Sequence, residues 1–363
     1  MTPGDDPPLT DVLARLRPGH RPWGCAAVLL PHLDGRTVDW PSFRSLLART
    51  AEAGLTPAVN MDTGFVQLLD GPTRQRVLRE ATAVLGDRGA DGRPPFLAGA
   101  FVPDRPGEPF DADRYHRAME AVAEAGGTPV VFPSHGLNAL EPDAWVGAHR
   151  DLARGCDRFV AFELGEQFVP YGRIYPLDAY RELLGIDACI GAKHSSLSRR
   201  AEWDRLAVRD EVRPGFHVFT GNDLAIDMIC WGSDYLLGLA AFCPDRFAAR
   251  DGAWASGDPS FHERNDRLQH LGAFSFRAPV PAYRHDAALF LHHRGWITSP
   301  AVPTGAPTRP AADLDVLALL ADDPAEADVA GAAGSTGEPD ATDDDPTVDG
   351  RAGTSAANDG RGR

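Results

Sequence analysis

The sequence predicts an α/β protein, a (β/α)8 TIM barrel with additional C-terminal helices and a disordered acidic tail. Three observations carry this prediction. Eight short apolar runs recur over roughly the first two-thirds of the chain. Longer amphipathic stretches separate them. The chain has 363 residues, more than the ~250 such a barrel typically occupies, which leaves length for appended segments.

The apolar runs are Cys25–Leu30, Pro57–Met61, Phe96–Phe101, Pro129–Phe132, Phe159–Phe162, Cys189–Ala192, His217–Thr220 and Leu236–Phe242. They are mostly continuously apolar, as expected of strands buried on both faces of a parallel sheet. Between them, Trp40–Ala53, Thr73–Leu85, Ala112–Ala125, Asp143–Arg154, Leu177–Leu184, Arg199–Leu206 and Asp223–Trp231 have the character of helices. Strand and helix in regular alternation imply a parallel sheet, and eight repeats favour closure. Beyond the last run, Asp258–Gly272, Tyr283–Arg294 and Asp313–Leu320 read as further helices. The expected organisation is an N-terminal extension over 1–20, a barrel over 21–250, a helical extension over 251–323 and a tail over 324–363. From Ala321 onward there is no Leu, Ile, Met, Phe, Trp or Tyr. That stretch has eleven acidic residues and three Arg, half of the net charge of −16. Such a segment buries too little apolar surface to offset the entropy of ordering it.

Hydrophobic residues at 43% and charged residues at 24% are globular values. With the tail set aside the acidity is mild, which argues against nucleic acid as a partner. No run reaches the roughly 18 apolar residues of a membrane-spanning helix. The start, Met1–Leu13, is acidic and Pro-rich, unlike a secretion leader. Five scattered cysteines without a CxxC pair read as reduced thiols, and the expected location is cytoplasmic. His32, His135, His285, His292 and His293 have no metal-ligand spacing, and no GxGxxG or phosphate loop occurs, so neither metal nor cofactor is expected.

In such a barrel, chemistry belongs at the C-terminal ends of the strands. The sixth strand ends in CIGAKHSS, with Lys193 at its tip. Burial disfavours an ammonium, and a neutral amine there could attack a ketone. On position alone, a solvated or salt-bridged lysine is the other reading. After the second strand, Asp62, Thr63 and Gly64 form a polar turn. Gly64 would permit a positive φ, and the turn could hold a carboxylate; a helix cap is the alternative. Glu163 follows an apolar run directly, where it could pair with a lysine or exchange protons with it. Tyr171, Arg173 and Tyr175 come next, and a loop salt bridge with packed aromatics is the competing explanation. After the seventh strand, Gly221 and Asn222 suit a tight turn, and Asp223 suits a helix N-cap better than substrate contact.

Four segments together are familiar. AAVLLPHLDGRTVDWPSFRSLLARTAEAGLTPAVNMDTG resembles the opening of the dihydrodipicolinate synthase / N-acetylneuraminate lyase family. GAKHSS resembles that family's Gly-x-Lys-x-Ser/Thr strand, FTGND its Ser/Thr-Gly-Asp-Asp turn, and APVPAYRHDAALFLHHRGW its Pro-x-Pro-x-Lys helix. The likeness runs from about Gly24 to Asp323 in the same order. It implies a Schiff-base lysine at Lys193, no cofactor, a small-molecule carbonyl substrate, and a homodimer or homotetramer. It also implies that the turn at Thr63 and Asp62 holds a 2-keto acid's carboxylate and that a fifth-strand Tyr relays protons.

The chain departs from that pattern. The family's Gly-Thr-Thr-Gly-Glu becomes Asp62-Thr63-Gly64-Phe65, and the relay Tyr becomes Phe162 with Glu163 beside it. An acidic Asp62 would repel a carboxylate. Arg173 is the nearest candidate for the arginine that binds a second substrate. The expected catalytic set is therefore Lys193, Glu163 and Tyr171, with Asp62, Thr63, Gly64, Arg173, Gly221 and Asn222 binding substrate. The expected activity is that of a class I aldolase, lyase or dehydratase on a 2-keto acid or related sugar-derived carbonyl, distinct from the lysine-biosynthetic enzyme. The alternatives are a catalytically altered barrel that binds a small carbonyl or sugar-like ligand, and an isomerase with Glu163 as base.

Overall fold

The computed structural model describes residues 9–322, apart from 87, 90 and 91. The tail expected over 324–363 lies outside the described residues. The strands are β1 (Gly24–Ala27), β2 (Thr56–Val59), β3 (Leu97–Ala100), β4 (Thr128–Val131), β5 (Phe159–Leu164), β6 (Cys189–Ser195), β7 (His217–Thr220) and β8 (Asp234–Leu237). They pair in parallel, in sequence order, and β8 closes on β1. This is the (β/α)8 barrel the alternation predicts.

Helix α1 (Leu9–Leu13) precedes the barrel. Then come α2 (Trp40–Glu52), α3 (Gly71–Leu85), α4 (Ala112–Glu124), α5 (His135–Asn138), α6 (Pro142–Leu152), α7 (Leu177–Leu183) and α8 (Arg199–Val212). Their starts are locally encoded. Asp39, Asp70, Asp111 and Ser198 each accept a first-turn backbone N–H through the side chain. Pro41 and Pro72 occupy first-turn positions whose N–H would be unpaired anyway.

After the barrel come α9 (Pro244–Ser256), α10 (Ser260–Ser275), α11 (Tyr283–His293) and α12 (Asp313–Ala321). Three differences from expectation fall around β8. The run Leu236–Phe242 is strand only to Leu237 and then a 3-10 turn, Leu239–Ala241. The helix expected over Asp223–Trp231 is a 3-10 turn, Ile226–Trp231. Helix α9 was not anticipated. The strand's true start was hidden because Asp234 is polar, yet it is buried, accepting the Trp23 N–H and facing the His217 ring.

Side chains divide by strand parity. Val160, Phe162 and Leu164 of β5 join Val130, Phe132, Phe219 and Leu236 inside the barrel. Phe159 and Ala161 pack outward under the helices, as does Ala192 of β6. This alternation positions the site. Among the described residues, no helix is long and apolar enough to cross a membrane.

Candidate active site

Register sets the first fact about the site. Phe162 stands beside Lys193 and Glu163 beside His194 across the β5–β6 ladder. Inward parity puts Lys193 with Phe162, and its ammonium nitrogen lies 4.4 Å from the Phe162 ring centroid. The lysine is only 5% exposed. Its nearest acid is Asp62, with Oδ1 at 4.0 Å.

Asp62 sits just past the end of β2, and its two oxygens differ. Oδ2 accepts from the Tyr283 hydroxyl at 3.0 Å, whereas Oδ1 is buried without a hydrogen-bond partner. The Tyr283 hydroxyl is also 2.7 Å from Thr63 Oγ1, so the donors run from Thr63 to Tyr283 to Asp62. Burial, reinforced by the Asp62 charge, pushes the Tyr283 hydroxyl well above its usual range and keeps its proton in place. Tyr283 opens α11 and reaches the barrel mouth because Gly238, just after β8, leaves room. A Cβ at Gly238 would come within 2.8 Å of the Tyr283 ring. The ring stacks on Phe276 at 4.2 Å.

Two further groups border the lysine. Ser195 shares the inward face of β6, and its buried Oγ has no partner. Gly221 lies against both, since a Cβ there would be 2.0 Å from Ser195 Oγ and 2.9 Å from Lys193 Cε. Asp223 is buried, and Oδ1 accepts the Leu239 N–H at 2.7 Å. Burial and the Asp62 charge raise its carboxyl to about 7, against the Leu239 bond and the Lys193 charge that lower it. Asp223 is therefore a link between the ends of β7 and β8, not the helix cap expected.

A cleft of about 640 Å3, open to solvent, reaches Asp62 and Tyr283 of this group. Asp62, Gln67, Tyr283 and Arg284 supply its polar lining, and Leu164 and Phe168 are among its apolar walls. Arg284 donates to the Asp62 and Pro281 carbonyls and lies 5.0 Å over the Phe65 ring.

Not every expected site residue reaches the cleft. Glu163 faces outward, fully buried under α7 and α8. Arg205 grips both its oxygens at 2.7 Å, the His194 ring contacts it at 2.9 Å, and the Tyr175 N–H donates to it. Arg205 and His194 hold its carboxyl down at about 2 despite burial. A carboxylate with every lone pair engaged, on the far side of the strand, cannot exchange protons with Lys193. The role expected for Glu163, and the isomerase reading built on it, fail for that reason.

Arg173 donates to the Asn138 and Leu140 carbonyls, bracing the segment between α5 and α6. Tyr175 stacks on Trp145 at 4.0 Å and donates to the Leu137 carbonyl. The Tyr171 ring packs 4.1 Å from His135 at α5. Burial, with Asp104 and Asp62 adding, pushes its hydroxyl up to about 12. Thr63 is fully buried and bonded to Tyr283, so the turn presents Asp62 to the cleft in its place. Left-handed backbone falls at Asn60 (φ 50°) and Phe65 (φ 60°) rather than at Gly64. Packing of the Phe65 ring against His32 and Arg284 holds that conformation. Asn222 Oδ1 accepts the Leu224 N–H and shapes the turn after β7.

The structure thus brings Lys193, Asp62, Thr63 and Gly221 together, and adds Tyr283, Ser195 and Asp223. The missed Tyr283 lies within the C-terminal segment APVPAYRHD, but its partner is 221 residues away and no local pattern names it. Among the described residues, no cluster of three or more His, Cys, Asp or Glu could hold a metal ion.

No protein-family model matches the sequence, and no curated protein matches it. Solved structures do match. The fold is similar to dihydrodipicolinate synthase from Thermotoga maritima, at TM-score 0.71 and 14% identity, covering 85% of this chain and 100% of that one. It is similar to a prophage protein of the dihydrodipicolinic acid synthase family from E. coli K12, solved with pyruvate, at TM-score 0.69 and 15% identity over 83% and 97% of the two chains. The pyruvate complex of the Acinetobacter baumannii synthase matches at TM-score 0.68 and 16% identity, over 84% and 98%. At these identities the likeness is one of fold.

Proposed function

We propose that this barrel is a Schiff-base enzyme, an aldolase, lyase or dehydratase, in which Lys193 condenses with a small carbonyl compound. One observation carries the reading: a buried lysine at the inner, C-terminal end of β6, with a carboxylate 4.0 Å from its nitrogen at the foot of an open cleft. A lysine that served stability alone would be hydrogen-bonded to saturation. Here the facing oxygen of Asp62 and the hydroxyl of Ser195 have no partner, as is expected of groups that await a ligand.

The amine adds to the carbonyl carbon, a proton passes from nitrogen to oxygen, and loss of water leaves an iminium. That cation withdraws electrons from the neighbouring carbon–carbon or carbon–hydrogen bond. Three chains of similar fold are synthases or relatives of synthases, two of them solved with pyruvate. For this chain, Asp62 supports a neutral hydroxylated carbonyl over a 2-keto acid, because its charge would oppose a carboxylate beside the imine. The Asp62 oxygen and Tyr283 hydroxyl suit substrate hydroxyls instead.

The test is intact-mass measurement after borohydride reduction with pyruvate, 2-ketobutyrate, hydroxyacetone, dihydroxyacetone and glycolaldehyde. A stable adduct that maps to Lys193, is absent from Lys193→Ala, and forms more readily with the neutral members is the expected result. An adduct with pyruvate alone would reverse the substrate preference. No adduct with any of them would reject the Schiff-base reading and favour a barrel that only binds its ligand.

A further inference from the structure

We propose that Asp62 moves the protons at the Lys193 nitrogen and its bound carbonyl, and that Tyr283, supplied by a helix beyond the barrel, is the residue that positions it. This rests on the Schiff-base reading above.

Three geometric facts carry it. First, Asp62 is the acid paired with Lys193, and the oxygen facing the amine, Oδ1, has no hydrogen-bond partner. Second, the other oxygen is fixed by the Tyr283 hydroxyl, which Thr63 holds in turn. The carboxylate is thus anchored on one side and available on the other, the arrangement a proton carrier requires. Third, apart from the Ser195 hydroxyl, a far weaker acid than a carboxyl, the groups that could compete are held by other contacts. Phe162, packed on the amine, has no exchangeable proton. Glu163 is sealed behind the strand by Arg205 and His194. Asp223 has one oxygen on the Leu239 N–H. Tyr171 packs against His135 at α5.

The proton balance closes within the pair. The exchanged proton starts on the Lys193 nitrogen. Transfer of one proton gives a neutral amine and a carboxylic acid. The amine lone pair forms the C–N bond as the carbonyl π pair moves to oxygen, and a proton passes from nitrogen to that oxygen. Asp62 then protonates the carbinolamine hydroxyl, which leaves as water, and the nitrogen lone pair forms the C=N bond of the iminium. The regenerated Asp62 carboxylate takes a proton from the adjacent carbon. The C–H pair becomes the enamine C=C bond and the C=N π pair returns to nitrogen. No oxidant, reductant or outside acid is needed.

Asp62 is faced by Lys193 from β6, by Tyr283 from α11, by the Arg284 guanidinium at its backbone carbonyl, and electrostatically by Asp223 and Tyr171. The Tyr283 hydroxyl holds one Asp62 oxygen in place, and removing it frees the carboxylate to turn away from the amine.

The experiment follows two signals on full-length protein with hydroxyacetone and pyruvate. These are the borohydride-trapped mass adduct and, by proton NMR in D2O, exchange of hydrogens on the carbon next to the carbonyl. Asp62→Asn should still form the adduct at saturating carbonyl while exchange slows about 10²- to 10⁴-fold. Asp62→Glu should recover part of that loss. Tyr283→Phe should keep the adduct and slow exchange about tenfold, with the carbonyl concentration at half-saturation unchanged. Exchange by Asp62→Asn within about threefold of wild type would overturn the proposal. So would an Asp62→Asn protein that forms the adduct at the wild-type rate, since Asp62 would then move no proton during imine formation. Failure of wild type to form any adduct would instead reject the reading of Lys193, and this inference with it.

Discussion

Two ionic groups lie one residue apart on the same pair of strands, on opposite faces. Outward, the Glu163 carboxylate is held by Arg205, His194 and the Tyr175 backbone. Inward, Lys193 has a carboxylate at 4.0 Å, an aromatic ring, and neighbours whose polar atoms lack partners. Burial is nearly complete in both, so burial does not distinguish them. Saturation does. A buried charge whose every bond is made holds the fold together, and a buried charge left partly unmet can act on something that arrives.

The contrast can be broken in several ways. The largest effect is expected from Lys193→Met, which should abolish adduct formation in the borohydride assay while shifting the melting temperature less than any change at Glu163. A fall larger than that of Glu163→Gln would show the inner lysine to be structural. Glu163→Gln comes next. It leaves Arg205 buried without its counter-charge and should cost about 3–5 kcal/mol by chemical denaturation, with adduct formation per folded molecule unchanged. The pH dependence has a definite sign. The Glu163 carboxyl titrates at about 2 when folded against an ordinary 4.5, so its contribution is complete above pH 4.5 and is lost as pH falls towards 2. In the variant that part of the acid sensitivity should vanish. An unchanged acid transition would mean the ion pair adds nothing.

Gly221→Ala is expected to act on the inner face alone. Its methyl would overlap Ser195 Oγ and crowd Lys193 Cε, costing about 1–3 kcal/mol. Adduct formation should slow because the amine is displaced. An adduct rate equal to wild type would mean that Lys193 relaxes freely. The smallest effect is expected at Glu202, another outward acid, which accepts from Thr220 and Ser233 and is raised by burial to about 7. Its folded value lies above the ordinary 4.5, so its contribution is present below pH 4.5 and is lost as pH rises through 7. Glu202→Gln should flatten stability against pH in that window, as read by thermal melts at fixed ionic strength. A curve that keeps the wild-type slope would assign the loss to other acids.

The barrel was legible because its strands are short, continuously apolar and regularly spaced. The same continuity made the faces illegible. In a strand buried on both sides no polar alternation marks inside from outside, so Glu163 at the end of an apolar run could be read as facing inward. A signal for the correct reading exists in α8, where Glu202, Arg205 and Arg209 are all buried at helical spacing. Charges on a helix face that should be apolar point to acids and bases on the strand beneath. Lys193 was identifiable from its small-residue strand and the likeness of its motif. Tyr283 was not, because its role depends on a contact across 221 positions of sequence. The β8 region was misjudged because a buried Asp234 begins the strand and a 3-10 turn, apolar like a strand, follows it.

The position of Tyr283 also sets an order of events in the life of the chain. Synthesis runs from the N-terminus, and the segment bearing Lys193 emerges well before α11 does. Until α11 docks, the carboxylate beside the amine lacks its anchor and the cleft lacks Tyr283 and Arg284 from its wall. A ribosome-bound intermediate would carry the lysine without the finished pocket. If Tyr283 positions Asp62 as proposed, competence arrives late in translation, once α11 has left the exit tunnel.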